Sequence, residues 1–385
     1  YELFVRTKQL LDPQGVFNPE IKLRDDPQQM THNLRYGREY RAQSAASLRL
    51  NWSGAFLEEV ERCHGCSKCT TLTTATRMCP VYKFTRDEDA APKAKANVLR
   101  ALISGVVEQK ALYKKALRRV MAQCVNCGSC YLECPSNVNI PKLAMEAKAQ
   151  YVARYGASWS EWLTAQVEPA ARLTHPLDPV AASLWAHPPA VRLAARCFGL
   201  APQRKMIRFD RRPLAKRLPA KTDGAGPRVL YYAGCYAAYI RPELGEAAVG
   251  VLRRMGCQVH LPPQFCCGLP QLSKGMTTAA RRTVRHNLKS WGRLLCEVDY
   301  VAVTCSSCGY ALMQDWSYLL DQRQAAQVAA KTVHISHLIQ THGQALLLGA
   351  VPRTLAYHQP CHLRLQAQAA SSQRLLQKVP GARLI

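Results

Sequence analysis

Cys124, Cys127, Cys130 and Cys134 stand in the run CVNCGSCYLECP, spaced C-x2-C-x2-C-x3-C-P, and no other feature constrains this chain as strongly. Upstream, Cys63, Cys66 and Cys69 repeat the same spacing, and Cys79-Pro80 closes that second run. Three thiols at this interval reach three corners of one small inorganic cube from a single tight loop. A [4Fe–4S] cube takes four soft thiolates, one per iron, so each run needs a fourth ligand from elsewhere. Zinc, which usually takes two C-x2-C hairpins, suits a three-cysteine run closed by Cys-Pro poorly.

The pair of runs resembles the bacterial two-cluster ferredoxins, in which the last cysteine of each motif ligates the other motif's cluster. That resemblance assigns one cubane to Cys63, Cys66, Cys69 and Cys134, and the other to Cys124, Cys127, Cys130 and Cys79. The upstream run departs from the compact form, with nine residues between Cys69 and Cys79, which makes Cys79 the weakest member of the set. Between the runs, residues 94–123 carry helical periodicity through Leu99, Leu102, Ile103 and Val106, then Leu117, Val120 and Met121, with Gly105 as a bend or divide. Pro141 suits the first turn of a helix through Tyr151. Clusters held between helices imply the α-helical two-cluster ferredoxin type over residues 57–155.

From Arg228 the pattern becomes α/β. Residues 229–233, 258–261 and 300–304 read as strands, and Pro242 opens a helix that Gly256 ends. A further helix is expected over 278–296. Strands alternating with helices predict a parallel sheet. Cys235, Cys266-Cys267-Gly268 and Cys305-Ser-Ser-Cys308 each fall just past a strand, at the carboxyl edge where such sheets gather their sites. This order of C, CCG and C-x2-C resembles the cysteine-rich CCG domain of the heterodisulfide reductase B subunit. The same domain occurs in iron–sulfur subunits of glycolate oxidase and anaerobic glycerol-3-phosphate dehydrogenase. The resemblance implies a non-cubane [4Fe–4S] cluster on the five cysteines; zinc at the Cys305/Cys308 pair and a metal-free thiol site stay open. Cys257 and Cys296 are expected to pack as small apolar residues.

RVLYYAGC, ending at Cys235, is echoed by RTLAYHQPC, ending at Cys361, and Gly256 by Gly381. A second cysteine-rich repeat is therefore expected to begin near residue 350, with Cys361 its one visible cofactor-binding residue. His358 and His362 flank it as candidates to tune a cluster or a quinone pocket. His175, His187 and Cys197 lack ligand spacing and read as structural.

Residues 1–23 predict a helix ending near Leu11 and a turn through Asp12, Pro13, Gly15, Asn18 and Pro19. They resemble the C-terminal tail of FAD-linked oxidases of the 2-hydroxyacid dehydrogenase type, although Glu20 stands where that family usually has glycine. The expected organisation is this tail, a connector over 24–56, the ferredoxin part over 57–155, a second connector over 156–226, a first CCG domain over 227–345 and the start of another over 350–385. This order resembles fused FAD-linked dehydrogenase/iron–sulfur oxidoreductases, including D-lactate, glycolate and D-2-hydroxyglutarate dehydrogenases. It implies a flavin domain upstream in the same polypeptide, with FAD and the substrate site there, and electrons leaving by the CCG domain to quinone or another carrier. An iron–sulfur subunit serving another dehydrogenase is the rival reading; a redox sensor or zinc scaffold is a more distant one. The chain starts at Tyr1 without methionine and stops at Ile385 within a repeat, so it reads as part of something longer.

Composition adds a location. Seventeen cysteines in motif spacing in a chain of 385 residues read as metal ligands in the reducing cytoplasm rather than as disulfides. No apolar stretch approaches the roughly 20 residues that span a bilayer. The formal charge of +26, from 52 Lys and Arg against 26 Asp and Glu, comes with no nucleic-acid-binding motif. It points to an arginine-rich solvated surface, an acidic partner or peripheral contact with the inner face of the cytoplasmic membrane.

Overall fold

The computed structural model describes all residues except 19–22, 24–33, 35, 38, 39, 44–46, 53–55, 178–186, 200, 202 and 204–206. The chain forms two compact units, Tyr1–Gln43 and Ser44–Ile385. In the first, helix Glu2–Leu11 ends at Asp12, whose carboxylate accepts the backbone N–H groups of Val16 and Phe17 at 2.8 and 2.9 Å. Gly15 supplies the left-handed residue (φ 64°) that this turn requires. The turn through Asp12, Pro13 and Gly15 thus forms where the sequence places it; Pro19 and Glu20 lie outside the described residues.

The larger unit begins with a helical layer. Helices Phe56–Glu61, Pro92–Ile103, Lys115–Ala122 and Ile140–Tyr155 enclose a core of Val60, Leu99, Leu102, Ile103, Leu117 and Leu143. The helical stretch predicted over 94–123 is divided rather than bent. The first helix stops at Ile103, Gly105 turns left-handed (φ 76°), and a short 3-10 turn Gln109–Tyr113 precedes the second. Val106, counted above with the apolar face, is therefore 80% exposed. Pro141 sits in the first turn of Ile140–Tyr155, and Asn139 caps that helix by accepting from the Lys142 N–H.

The α/β layer holds a four-stranded parallel sheet in the order β2-β1-β3-β4, with β1 Arg228–Tyr232, β2 Gln258–His260, β3 Tyr300–Val303 and β4 Thr332–His334. Buried aliphatics fill both faces, as a sheet covered on both sides demands. The helix expected over 278–296 is two, Thr277–Trp291 and Leu294–Glu297, separated by Gly292 at φ 49°. Cys257 is fully buried as expected, but Cys296 is exposed, because it falls in the short second helix. The chain ends in a smaller parallel pair, β5 Thr354–Leu355 and β6 Arg383–Leu384. In it Gly381 (φ 75°) precedes β6 as Gly256 (φ 77°) precedes β2, so the echo read in the sequence is also an echo of backbone.

The two layers share a seam. Glu146, 1% exposed, accepts from the backbone N–H groups of Arg49 and Leu50, from Trp52 Nε1 and from Gln150 Nε2. Four donors offset the desolvation of one carboxylate. The segment so held also meets the α/β layer, where the Asn51 N–H donates to the Tyr318 carbonyl and Arg281 to that of Arg49. Lys148 spans the same seam, donating to the carbonyls of Cys124 at 2.8 Å and Ser273 at 3.1 Å. Gly275 packs so closely on the Lys148 backbone that a Cβ there would come within 2.5 Å of it.

Candidate iron–sulfur sites

The two cysteine runs adopt one backbone shape. In each, the residues flanking the middle cysteine are left-handed: Gly65 and Ser67 (φ 76° and 59°) around Cys66, and Asn126 and Gly128 (φ 57° and 74°) around Cys127. Gly and Asn tolerate this conformation best, so three of the four positions are chemically suited to it. These turns curl each run around a cavity.

One cavity is lined by Cys63, Cys66, Cys69 and Cys134. The other is lined by Cys79, Cys124, Cys127 and Cys130, so each run closes on the last cysteine of the other. Cys130 also touches the first cavity and, with Pro92 and Ile140, forms the wall between them. Its thiol proton is held chiefly by burial, then by the charges of Cys124, Cys127 and Cys79, with Cys69 last. The thiols that act on it by charge are thus mainly those of the second group. Cys79 reaches its place from a strained φ of 32°, caps helix Pro80–Thr85 and accepts the Tyr82 N–H at 3.4 Å. Glu133 accepts the Arg77 N–H twice, at 2.9 and 3.0 Å, and so ties the approach to Cys79 to the end of the downstream run.

The donor set fits cubanes. Four thiols line a hollow in each case, and no described group of three His, Cys, Asp or Glu residues converges on a single ion. Burial pushes the Cys69 thiol up to about 11, and Cys127 and Cys130 are also raised by burial. Backbone N–H groups of Lys93 and Ser129 lean the other way, toward thiolate, at Cys69 and Cys127. Buried sulfur with inward N–H donors is stable as an anion once a cation replaces its proton.

Cations stand behind these sulfurs. Lys95, 2% exposed, donates to the carbonyls of Asp89 and Ala90 at 3.0 and 2.9 Å. Burial lowers its pKa, while the nearby thiols of Cys124, Cys79 and Cys130 favour its charge. A buried cation stabilises the more negative, reduced form of a cluster. Lys95→Met should therefore lower the potential of the cluster beside Cys124 by about 60 mV, one tenfold change for a one-electron couple, while leaving the cluster beside Cys63 in place. An EPR-monitored redox titration reads both; a shift confined to the Cys63 side would contradict the placement.

The five cysteines of the α/β layer meet at the carboxyl edge of the sheet, as the sequence predicts. Their thiols form a hydrogen-bonded chain running Cys235, Cys266, Cys267, Cys308, Cys305. Gly234 (φ 65°) makes room, since a Cβ there would lie 2.8 Å from Cys308 Sγ. Gly268 (φ 83°) turns the chain directly after the paired cysteines. Side chains clamp the backbone around them: Asn287 Nδ2 donates to the Cys266 carbonyl and Trp316 Nε1 to that of Cys267, both at 2.9 Å. Tyr232 Oη donates to the Phe265 carbonyl at 2.7 Å.

Cys305 precedes helix Ser306–Met313 and falls to about 6, through the Cys308 thiol and the N–H groups of Cys308 and Ser307. Cys267, between the donating thiols of Cys266 and Cys308, is lowered too, while Cys235, Cys266 and Cys308 are raised. Five sulfurs gathered at one sheet edge make a soft, electron-rich site that suits iron.

Cys361 lies apart from this chain, beside Cys127, where its charge would raise the Cys127 pKa. His362 touches both cysteine systems. Its Nε2 is 2.8 Å from the Asn126 carbonyl and its Nδ1 is 2.9 Å from Ser307 Oγ. His175 is buried with Nδ1 3.2 Å from the Arg211 carbonyl, and Cys197 is exposed, each away from these sites. Sequence reasoning missed Lys95, Lys148 and Glu146; their roles depend largely on backbone carbonyls and N–H groups, which no motif marks.

Two family models match the chain: the 4Fe-4S dicluster domain over residues 59–138 and the cysteine-rich domain, CCG, over 229–313. The C subunit of anaerobic glycerol-3-phosphate dehydrogenase from Escherichia coli (strain K12) is 25% identical over 329 residues, covering 83% of this chain and 79% of the relative. The B subunit of fumarate reductase (CoM/CoB) from Methanothermobacter marburgensis is 23% identical over 333 residues, covering 85% of this chain and 58% of the relative. Lactate utilization protein A of Geobacillus thermodenitrificans is 26% identical over 166 residues, or 41% of this chain and 67% of the relative. No solved structure matches. The chain is thus an iron–sulfur protein with a dicluster domain, implying two [4Fe–4S] clusters, and a CCG domain. It is similar to subunits of multi-subunit oxidoreductases.

Proposed function

We propose that this chain is the electron relay of a flavin-dependent dehydrogenase. It takes electrons singly through a cubane on Cys63, Cys66, Cys69 and Cys134 and a cubane on Cys124, Cys127, Cys130 and Cys79. It then passes them to an iron–sulfur group on Cys235, Cys266, Cys267, Cys305 and Cys308, and on to a quinone or another carrier. The observation that carries this reading is the occurrence of three thiol-lined sites in one compact unit, the first two adjoining across Pro92, Cys130 and Ile140. The clusters would supply the redox chemistry; the protein supplies fixed spacing, burial and the cations Lys95 and Lys148.

Similarity over most of both chains to a subunit of anaerobic glycerol-3-phosphate dehydrogenase favours a relay serving a separate dehydrogenase over a fused 2-hydroxyacid dehydrogenase. One observation supports the fused reading: the segment whose sequence resembles an FAD-linked oxidase tail does form the expected helix and Asp12 turn. Adding glycerol 3-phosphate dehydrogenase and its substrate to the oxidised protein tests the separate relay: bleached clusters support it, and clusters that stay oxidised favour the fused reading.

Peripheral contact with anionic lipid belongs to the same proposal. No described helix is long and apolar enough to cross a membrane. The net charge is +26, and Trp159 and Trp162, at 74% and 45% exposure, stand on helix Trp159–Ala165.

Protein purified without oxygen should carry about eight irons for the two cubanes and up to about four more for the CCG site. It should show broad visible absorbance that dithionite bleaches. Stoichiometric zinc without iron would replace the relay with a structural scaffold.

A further inference from the structure

His362 belongs to the second repeat, yet its ring ends on loops of both other sites. The Asn126 carbonyl lies in the turn between Cys124 and Cys127; Ser307 lies between Cys305 and Cys308. A carbonyl only accepts, so Nε2 carries a proton and donates to Asn126, while Nδ1 shares a hydrogen bond with the Ser307 hydroxyl. Asn126 is fixed in turn: left-handed, buried, its amide donating to the Pro141 carbonyl at 3.2 Å.

The surroundings hold the ring in this one position. Tyr310 stacks on it with centroids 5.2 Å apart and planes 13° from parallel. Gln366 Nε2 donates to the carbonyls of Ser306 at 2.9 Å and His362 at 3.0 Å, pinning helix Cys361–Arg364 to the C-x2-C turn. On the other side Arg364 pairs with Glu133 at 3.0 Å, and Leu365 fills the space over Gly128, where a Cβ would come within 2.2 Å of it. The segment around His362 is thus anchored on one cysteine loop and on the other.

We propose that His362 is the positioning residue that couples the cubane on Cys79, Cys124, Cys127 and Cys130 to the five-thiol site, through the hydrogen-bonded path Asn126 carbonyl, imidazole, Ser307 hydroxyl. One electron leaves the cubane, which is oxidised, and enters the iron–sulfur group of the CCG domain, which is reduced. The step needs no proton transfer. The electron comes from the dehydrogenase upstream. This inference rests on the reading of both sites as iron–sulfur centres.

The test uses the whole protein, loaded with iron and reduced by substoichiometric dithionite. His362→Phe keeps the ring and its stacking on Tyr310 but removes both hydrogen bonds. Ser307→Ala removes one of them, and His362→Gln restores a donor for the Asn126 carbonyl. Iron content should match the parent protein in all three. In His362→Phe, freeze-quench EPR should show electron transfer from cubane to CCG site slowed about 10- to 100-fold, the range seen when outer-shell partners of metal ligands are removed. The magnetic coupling between the two reduced centres should weaken as the loops lose their common anchor. His362→Gln should recover part of both. Since the bonds act in series, Ser307→Ala added to His362→Phe should slow transfer no further. An unchanged rate and coupling in His362→Phe with full iron would overturn the proposal, as would strictly multiplicative effects in the double variant. Should His362→Phe fail to fold, Ser307→Ala carries the same test alone. A parent protein lacking iron at the CCG site would refute the underlying reading instead, and metal analysis shows that before any variant is made.

Discussion

Cys134→Ser is expected to destroy the cluster beside Cys63, Cys66 and Cys69 while sparing the one built on its own run. Iron from the two cubanes should fall from about eight to about four per chain. Cys134 lines the cavity of the upstream run, and Cys79 lines that of the downstream run. Serine offers a harder oxygen ligand in place of a soft thiolate, which the iron corner holds poorly. The remaining cluster should keep its potential, because Lys95 and the N–H donors around Cys79 and Cys127 are untouched. Metal analysis with EPR of the reduced protein separates the outcomes. Loss confined to the Cys124 side would mean that each run closes on its own last cysteine, contrary to the cavity linings.

The grouping of the two runs around two cavities was legible because three thiols at x2 spacing share one tight loop. The crossing itself came from the resemblance to two-cluster ferredoxins and agrees with the cavity linings. The carboxyl-edge site was legible for a similar reason, since apolar runs at 229–233, 258–261 and 300–304 each end close to a cysteine. β4 Thr332–His334 escaped, being three residues long and continuous with helix Gln322–Lys331, with no turn residue to mark it. The halves of the 278–296 helix, and the exposure of Cys296, hinge on Gly292; a lone glycine in a helical pattern signals a break only weakly. The docking of residues 49–52 on Glu146 left no trace in the sequence, because the donors are mostly backbone. His362 was visible only as a histidine next to Cys361. What makes it a bridge is the distance to carbonyl and hydroxyl groups 236 and 55 residues away, which no local pattern encodes.

Cys266→Ser with Cys267→Ser cuts the relay at its far end. These two thiols are the middle of the five-membered chain, Cys266 reaching Cys235 and Cys267 reaching Cys308. Losing both strands Cys235 from the Cys305/Cys308 pair and leaves three of the five sulfurs proposed to hold the group. The loop itself should survive, because Asn287 and Trp316 hold it through the carbonyls of residues 266 and 267, not through the sulfurs. Both cubanes should therefore load normally and still accept electrons from the dehydrogenase at the parent rate. Turnover with the terminal acceptor should fall by at least about 100-fold, the upper range for disabling a metal site's supporting groups, since only a step beyond the cubanes is lost. Following flavin bleaching, cubane reduction and acceptor reduction separately locates the block. Unchanged acceptor turnover would make the five-thiol site structural and place the exit at the cubanes. In that case the bridge at His362 would have no electron to carry, so the two experiments constrain one another.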